Sequence, residues 1–155
     1  MPPEQIQDSD IVSRSIYSPK DYSLNDVGVL DLKRSFVFQE KHQYSESVNC
    51  NRLLNNSVDA IHALGIRKLD NDNARLIKEG NNPRVYTGFV SSGVEKVRNT
   101  ARVGDMHFEV LNTPIPENLA HCDIKLNFSG TRPNTAQKSL VVQRLCDCFD
   151  RETLY

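Results

Sequence analysis

An α+β fold, with a mainly antiparallel sheet covered on one face by a C-terminal helix, is what the sequence predicts, and three stretches predict it. Met106, Phe108 and Val110 alternate with His107 and Glu109. Cys122, Ile124, Leu126 and Phe128 alternate with Asp123, Lys125 and Asn127. Period-two alternation gives each strand one buried and one polar face, as in a sheet covered on a single side. The third stretch is 135–149, where Ala136, Leu140, Val141, Leu145, Cys148 and Phe149 recur at helical spacing. Asn134 precedes it with Gln137 three residues on, the spacing of a capping box. Leu140, Leu145 and Phe149 are expected to face the sheet.

Taken in order, residues 1–10 are polar with two adjacent prolines, Pro2 and Pro3, and are expected to form a disordered arm. Residues 11–155 are expected to form one α+β domain. Ile11–Tyr17 reads as a strand ended by Ser18 and Pro19. Phe36, Val37 and Phe38 make a short apolar run of open type, and Tyr44–Asn49 suits another strand. The asparagines between Asn49 and Asn56 favour a loop. A helix is expected from Ser57, with Val58, Ile61 and Leu64 as its stripe and Gly65 just past its end. Ala74–Glu79 suits a second short helical turn. Arg84–Val90, apolar on both faces, reads as an interior strand. Ser92 with Glu95 has capping-box spacing and opens a short helix through Asn99.

Composition narrows the function. A chain of 155 residues suits one domain, and 38% apolar residues with no tryptophan give a thin core. Such a core is expected to be completed by a protein partner, with self-association as an alternative. Formal charge is −1, from 19 basic and 20 acidic residues, so no nucleic-acid partner and no membrane association are expected. The N-terminal residues lack the basic start and apolar run of a secretory leader, which leads to an expected cytoplasmic location. Cys50, Cys122, Cys146 and Cys148 form no Cys-x-x-Cys pair and no disulfide-like framework, and Cys146 and Cys148, two apart on the last helix, read as packing residues.

Two partial motifs fail on chemistry. Asp70-Asn71-Asp72-Asn73 opens like a calcium loop, but Arg75 stands where the turn glycine belongs and Asn81 where the bidentate glutamate belongs. It reads as an asparagine-rich turn. Gly88 and Gly93 have phosphate-loop spacing, but Val94-Glu95 replace the lysine and hydroxyl that would meet phosphate. His107, Glu109, His121 and Asp123 are ligand-type residues that ordinary polar alternation also explains. No metal and no cofactor are expected.

The most distinctive stretch is Thr113-Pro114-Ile115-Pro116-Glu117-Asn118-Leu119-Ala120-His121. Two prolines fix an extended approach, Asn118 sits where a side chain caps a turn, and His121 enters a strand at its mouth. The segment resembles one in a family of small, mostly bacterial proteins of no assigned function. There, a Pro-x-Pro-x-Asn-x-Ala-His segment precedes a C-terminal strand, with an arginine on the first strand and a serine on a middle one. The matching positions here are Arg14 and Ser47. The resemblance implies that Arg14, Ser47, Asn118 and His121 converge. Two readings of function follow. The first is a non-catalytic binding or adaptor module acting beside a larger protein. The second is a small enzyme or ligand sensor for an anionic, nucleotide-like ligand, with arginine holding the anion, serine donating a hydrogen bond and histidine acting as acid or base.

Overall fold

The computed structural model of the protein describes residues 5–18, 22–24, 26–27, 30–32, 45–130 and 134–155. The Phe36–Phe38 run and residues 1–4 lie outside them, as does most of the turn-rich stretch after Ser18. The described strands are β1 (Ile11–Ser18), β2 (Tyr22–Leu24), β3 (Leu30–Leu32), β4 (Ser45–Cys50), β5 (Val85–Gly93), β6 (His107–Asn112), β7 (His121–Asn127) and β8 (Arg151–Leu154). The helices are α1 (Val58–Lys78), α2 (Val94–Asn99) and α3 (Thr135–Cys148). Six strands form one sheet in the order β6-β7-β4-β1-β5-β8, every neighbour antiparallel, while β2 and β3 pair separately. The expected α+β architecture is the one found.

Directly opposed residues in a ladder share a face, so the register sorts the sheet. Val12 opposes Cys50, Val48 opposes Cys122, and Val110 opposes Ile124. These belong to the main core, with α2 and α3 over them contributing Val97, Val141 and Leu145, and Phe149 following just after α3. On α3 the buried face is Val141, Val142, Leu145, Cys146 and Cys148, while Leu140 is 47% exposed. The stripe is thus turned from the expected one: Leu140 lies on its solvent shoulder, and Val142 and Cys146 take its place. The capping box at Asn134 and Gln137 forms as expected, with bonds of 2.8 and 3.0 Å. At α2 it does not: Gly93 is the cap, and the Ser92 hydroxyl turns to the Gly93 carbonyl.

The other face carries α1, whose 21 residues run through both Gly65 and the asparagine-rich segment. The turn expected at Asp70–Asn73 is therefore helix. Ile61, Gly65, Leu69 and Leu76 keep one stripe against the sheet. Asn73 adds a tertiary tie, bonding the backbone N–H and carbonyl of Arg84 at 2.8 and 2.9 Å. Such packing outweighs the low helix propensity of Asn and Asp, a few tenths to about 0.7 kcal/mol each. At the far edge, Gly88 (φ 149°) lies where any Cβ would overlap the Thr153 carbonyl, so only glycine lets β8 pair closely with β5.

Residues 5–10, expected in a disordered arm, are packed. Ile6 is buried in the main core, and Asp10 takes a two-pronged ion pair from Arg52 at 2.7 and 3.0 Å. Arg98 ties the same segment to β6, bonding Asp8 at 2.8 Å and Glu109 at 2.6 Å. Polar composition concealed this because the segment is held by charge pairs, not by an apolar stripe. The Arg52 hydrogen bonds hold the Asp10 carboxyl below the usual aspartate range, more than burial raises it. A carboxyl depressed on folding stabilises above its unfolded pKa and stops doing so as pH falls through the folded value. Asp10→Asn should therefore cost about 2 kcal/mol at pH 7, with the deficit shrinking below about pH 4. Urea melts across pH check this; a deficit constant from pH 7 to pH 2 would contradict it.

Candidate functional site

Beside α1, the sheet face that it only partly covers forms the floor of a cavity of about 520 Å³. That volume lies within the range of small-molecule sites. Ser13 opposes Asn49, and Asn49 opposes His121, so these three side chains form one row across β1, β4 and β7 on this face. Ser47 follows two residues from Asn49 and shares the face. The row is polar throughout, which is why the cavity is not filled by core.

The β6–β7 hairpin loop places His121. Asn118 closes its tip: the backbone of Ile115 and Asn118 exchange two hydrogen bonds, and the Asn118 carbonyl accepts from the His121 N–H at 3.2 Å. The Asn118 side chain accepts from Ala120 N at 3.0 Å and donates to Asn49 Oδ1 at 2.5 Å. It therefore does two things, closing the turn and bridging to β4. The His121 ring is held at both nitrogens. Nδ1 lies 2.8 Å from the Thr113 carbonyl and 3.0 Å from the Thr113 hydroxyl, and Nε2 lies 3.2 Å from Ser47 Oγ. A carbonyl only accepts, so Nδ1 carries the proton, and in the neutral ring Nε2 is the acceptor for the Ser47 hydroxyl.

Ser47, Asn118 and His121 thus meet, but Arg14 meets them differently. It is among the residues lining the cavity, and its register position opposite Val90 places its side chain on the core face. The guanidinium pairs with Glu46, which lies opposite Ile124 on that same face, and donates to the Ser47 carbonyl at 2.7 Å. The β1–β4 ladder pairs only Val12 with Cys50 and Ser13 with Asn49. Where it stops, Arg14 takes over the acceptor that β1 leaves. It holds the strand that carries Ser47, with its guanidinium engaged by Glu46 and the Ser47 carbonyl.

The positive charge in the cavity comes from residues that sequence reasoning passed over. Arg67 and Lys68 on α1 and Arg84 just before β5 line it, with Asp72 and Glu117 as its acids. Among the described residues, no side-chain partner is found for Arg67 or Arg84. Leu64, Lys68 and Asn71 line the wall at spacings of four and three, one face of α1. The thiols are elsewhere. Cys50 and Cys122 lie on the core face, where burial raises both and takes Cys122 to about 12, so neither is a thiolate nucleophile.

The other candidate residues do not gather. His107 opposes Asn127, six residues along β7 from His121, about 20 Å away. Glu109 is engaged by Arg98. Among the described residues no three His, Cys, Asp or Glu side chains group as a metal site, and no helix is long and apolar enough to cross a membrane. Comparison with family models, with curated proteins and with solved structures finds no match to the chain.

Proposed function

We propose that the protein binds a small anionic, nucleotide-like ligand in the cavity between α1 and the sheet, with His121 as its acid–base group. The observation that carries this reading is the joint lining of one cavity by Arg67, Arg84, Ser47 and His121. Guanidinium groups match phosphate geometry, and hydroxyl, amide and imidazole groups at the other end supply orientation and proton transfer.

Thermal melts with pyrophosphate and with ATP test the reading. At a concentration a hundredfold above Kd, binding adds about 2.7 kcal/mol, which raises Tm by about 5–10 °C for a domain of this size. Arg67→Ala combined with Arg84→Ala should melt like the wild type without ligand and gain nothing from either anion. Wild-type melts unmoved by both anions at millimolar concentration would contradict the proposal.

An adaptor role is the second reading, favoured by two exposed apolar residues of the hairpin loop, Leu119 and the cavity-lining Ile115. A protein partner there would contact the rim and leave the polar floor untouched. Leu119→Ser would then weaken partner capture without altering the anion-dependent melt.

A further inference from the structure

We propose that Ser47 is a nucleophile activated by His121 and that the protein hydrolyses a carboxylic ester borne by a phosphorylated small molecule; the phosphate part rests on the anion-binding reading above. Three side-chain arrangements carry this. The first is the held tautomer. The Thr113 carbonyl, 2.8 Å from Nδ1, fixes the proton there and aims the Nε2 lone pair at Ser47 Oγ, 3.2 Å away. That is a nucleophile, a base and an orienting acceptor in sequence, with a backbone carbonyl in the place a carboxylate fills in serine hydrolases. The ring is also fixed at its root, since the His121 backbone bonds both Asn118 and Thr113. Ser47 is exposed and can be reached.

The second arrangement is a pair of amides. Asn118 Nδ2 gives one hydrogen to Asn49 Oδ1 at 2.5 Å. Its second N–H and the Asn49 amide nitrogen have no partner among the described residues, and both residues line the cavity with Ser47. Two neutral amide donors suit the single oxyanion of an acyl intermediate. Phosphoryl transfer would instead call for cations around the reacting group. Arg14, whose guanidinium meets the Ser47 carbonyl at 2.7 Å, pairs with Glu46, and its register position is on the opposite face from the Ser47 hydroxyl.

The third is spacing. Ser13, in the row with His121, and Ser18, opposite Val85 and so beside Arg84, are five residues apart on β1. At about 3.3 Å per residue this separates the dyad from the Arg84 end by on the order of 15 Å. The ester and the phosphate therefore belong to opposite ends of one extended substrate.

In the reaction, Ser47 Oγ attacks the ester carbonyl carbon as its proton passes to His121 Nε2. The bond from that carbon to the alcohol oxygen breaks, and Nε2 returns the proton to the departing alcohol. Water then attacks the acyl-Ser47 carbonyl, giving a proton to Nε2, and that proton restores the serine hydroxyl as the carboxylic acid leaves.

The test is labelling of the full chain with an alkyl fluorophosphonate, read by intact mass and peptide mapping. One adduct on Ser47 is expected, with His121→Ala slowing its formation by about 10²–10⁴-fold. ATP, long enough to reach from the Arg84 end toward the dyad, should slow labelling of the wild type but not of the Arg67→Ala, Arg84→Ala variant. Ser47→Cys provides a second handle: its alkylation by iodoacetamide should fall at least about tenfold when His121→Ala is added. A folded wild type that takes no adduct, takes it elsewhere, or labels at a rate indifferent to His121→Ala overturns the nucleophile. If pyrophosphate still raises Tm in that case, the binding site survives; if it does not, both readings fall together.

Discussion

Arg14→Ala should destabilise the protein by about 3–5 kcal/mol, the usual cost of removing one partner of a buried ion pair. Glu46 is 6% exposed and sits on the core face opposite Ile124, with Arg14 as its ion-pair partner. Removing the guanidinium takes the ion-pair partner of a buried carboxylate and the donor from the Ser47 carbonyl. Removing both charges is a different matter. Arg14→Met with Glu46→Leu replaces the pair by apolar volume and should recover most of the loss. Urea melts of the wild type, the single variant and the double variant measure this. The double variant also separates two roles for Arg14. As a spacer between β1 and β4, it can be replaced without loss of pyrophosphate binding. As a direct anion holder, it cannot, and a stable double variant that no longer binds would return Arg14 to the ligand site.

The same pair shows what was legible in the sequence and what was not. The sequence marks Arg14 as an arginine inside a strand, and such an arginine needs an anionic or carbonyl partner. The structure supplies both, Glu46 and the Ser47 carbonyl, from the adjacent strand. What a sequence cannot give is the face: Arg14 and Ser47 lie on adjacent strands, yet their register positions are on opposite sides of the sheet. Strand register decides this, and register is set by long-range pairing. His121, Asn118 and Ser47 were legible because the hairpin loop and the polar alternation of β7 are local patterns.

Arg67, Lys68 and Arg84 were missed for a traceable reason. Ending the first helix at Gly65 places Arg67 and Lys68 in a loop, where two cations carry no direction. In the 21-residue α1, Leu64, Lys68 and Asn71 share one face, and the cavity wall emerges. One glycine taken as a stop thus hid both half of a helix and the charged side of the site. The asparagines at 71 and 73 reinforced the error, since their preference for turns is real and is overcome here by the packing of α1 and the bonds of Asn73 to Arg84.

Gly65 is where the helix and the site meet, and Gly65→Val should cost about 3 kcal/mol and loosen the cavity wall. A Cβ at this position would lie 2.5 Å from Tyr86 Cε2 and 2.6 Å from Ser15 Oγ. Neither neighbour gives way freely. The Tyr86 ring is buried, packs against Tyr17 at a centroid distance of 5.8 Å, and has its hydroxyl 2.7 Å from His62 Nδ1. The Gly65 carbonyl also accepts from the Tyr17 hydroxyl at 3.0 Å, so helix and sheet are bonded at the point of closest approach. Alanine is the milder case. Its helix propensity returns about 1 kcal/mol over glycine and offsets part of the overlap, so Gly65→Ala should cost less than Gly65→Val. Valine gains less propensity and adds two methyl groups to the same contact, which places it at the upper end of overpacking costs. Displacement of α1 from β1 carries Arg67 and Lys68 with it, so pyrophosphate should stabilise the valine variant less than the wild type. Denaturant melts with and without pyrophosphate decide the matter. A Gly65→Val protein as stable as the wild type would mean that α1 does not rest on Ser15 and Tyr86, and the cavity wall would then have to be drawn elsewhere.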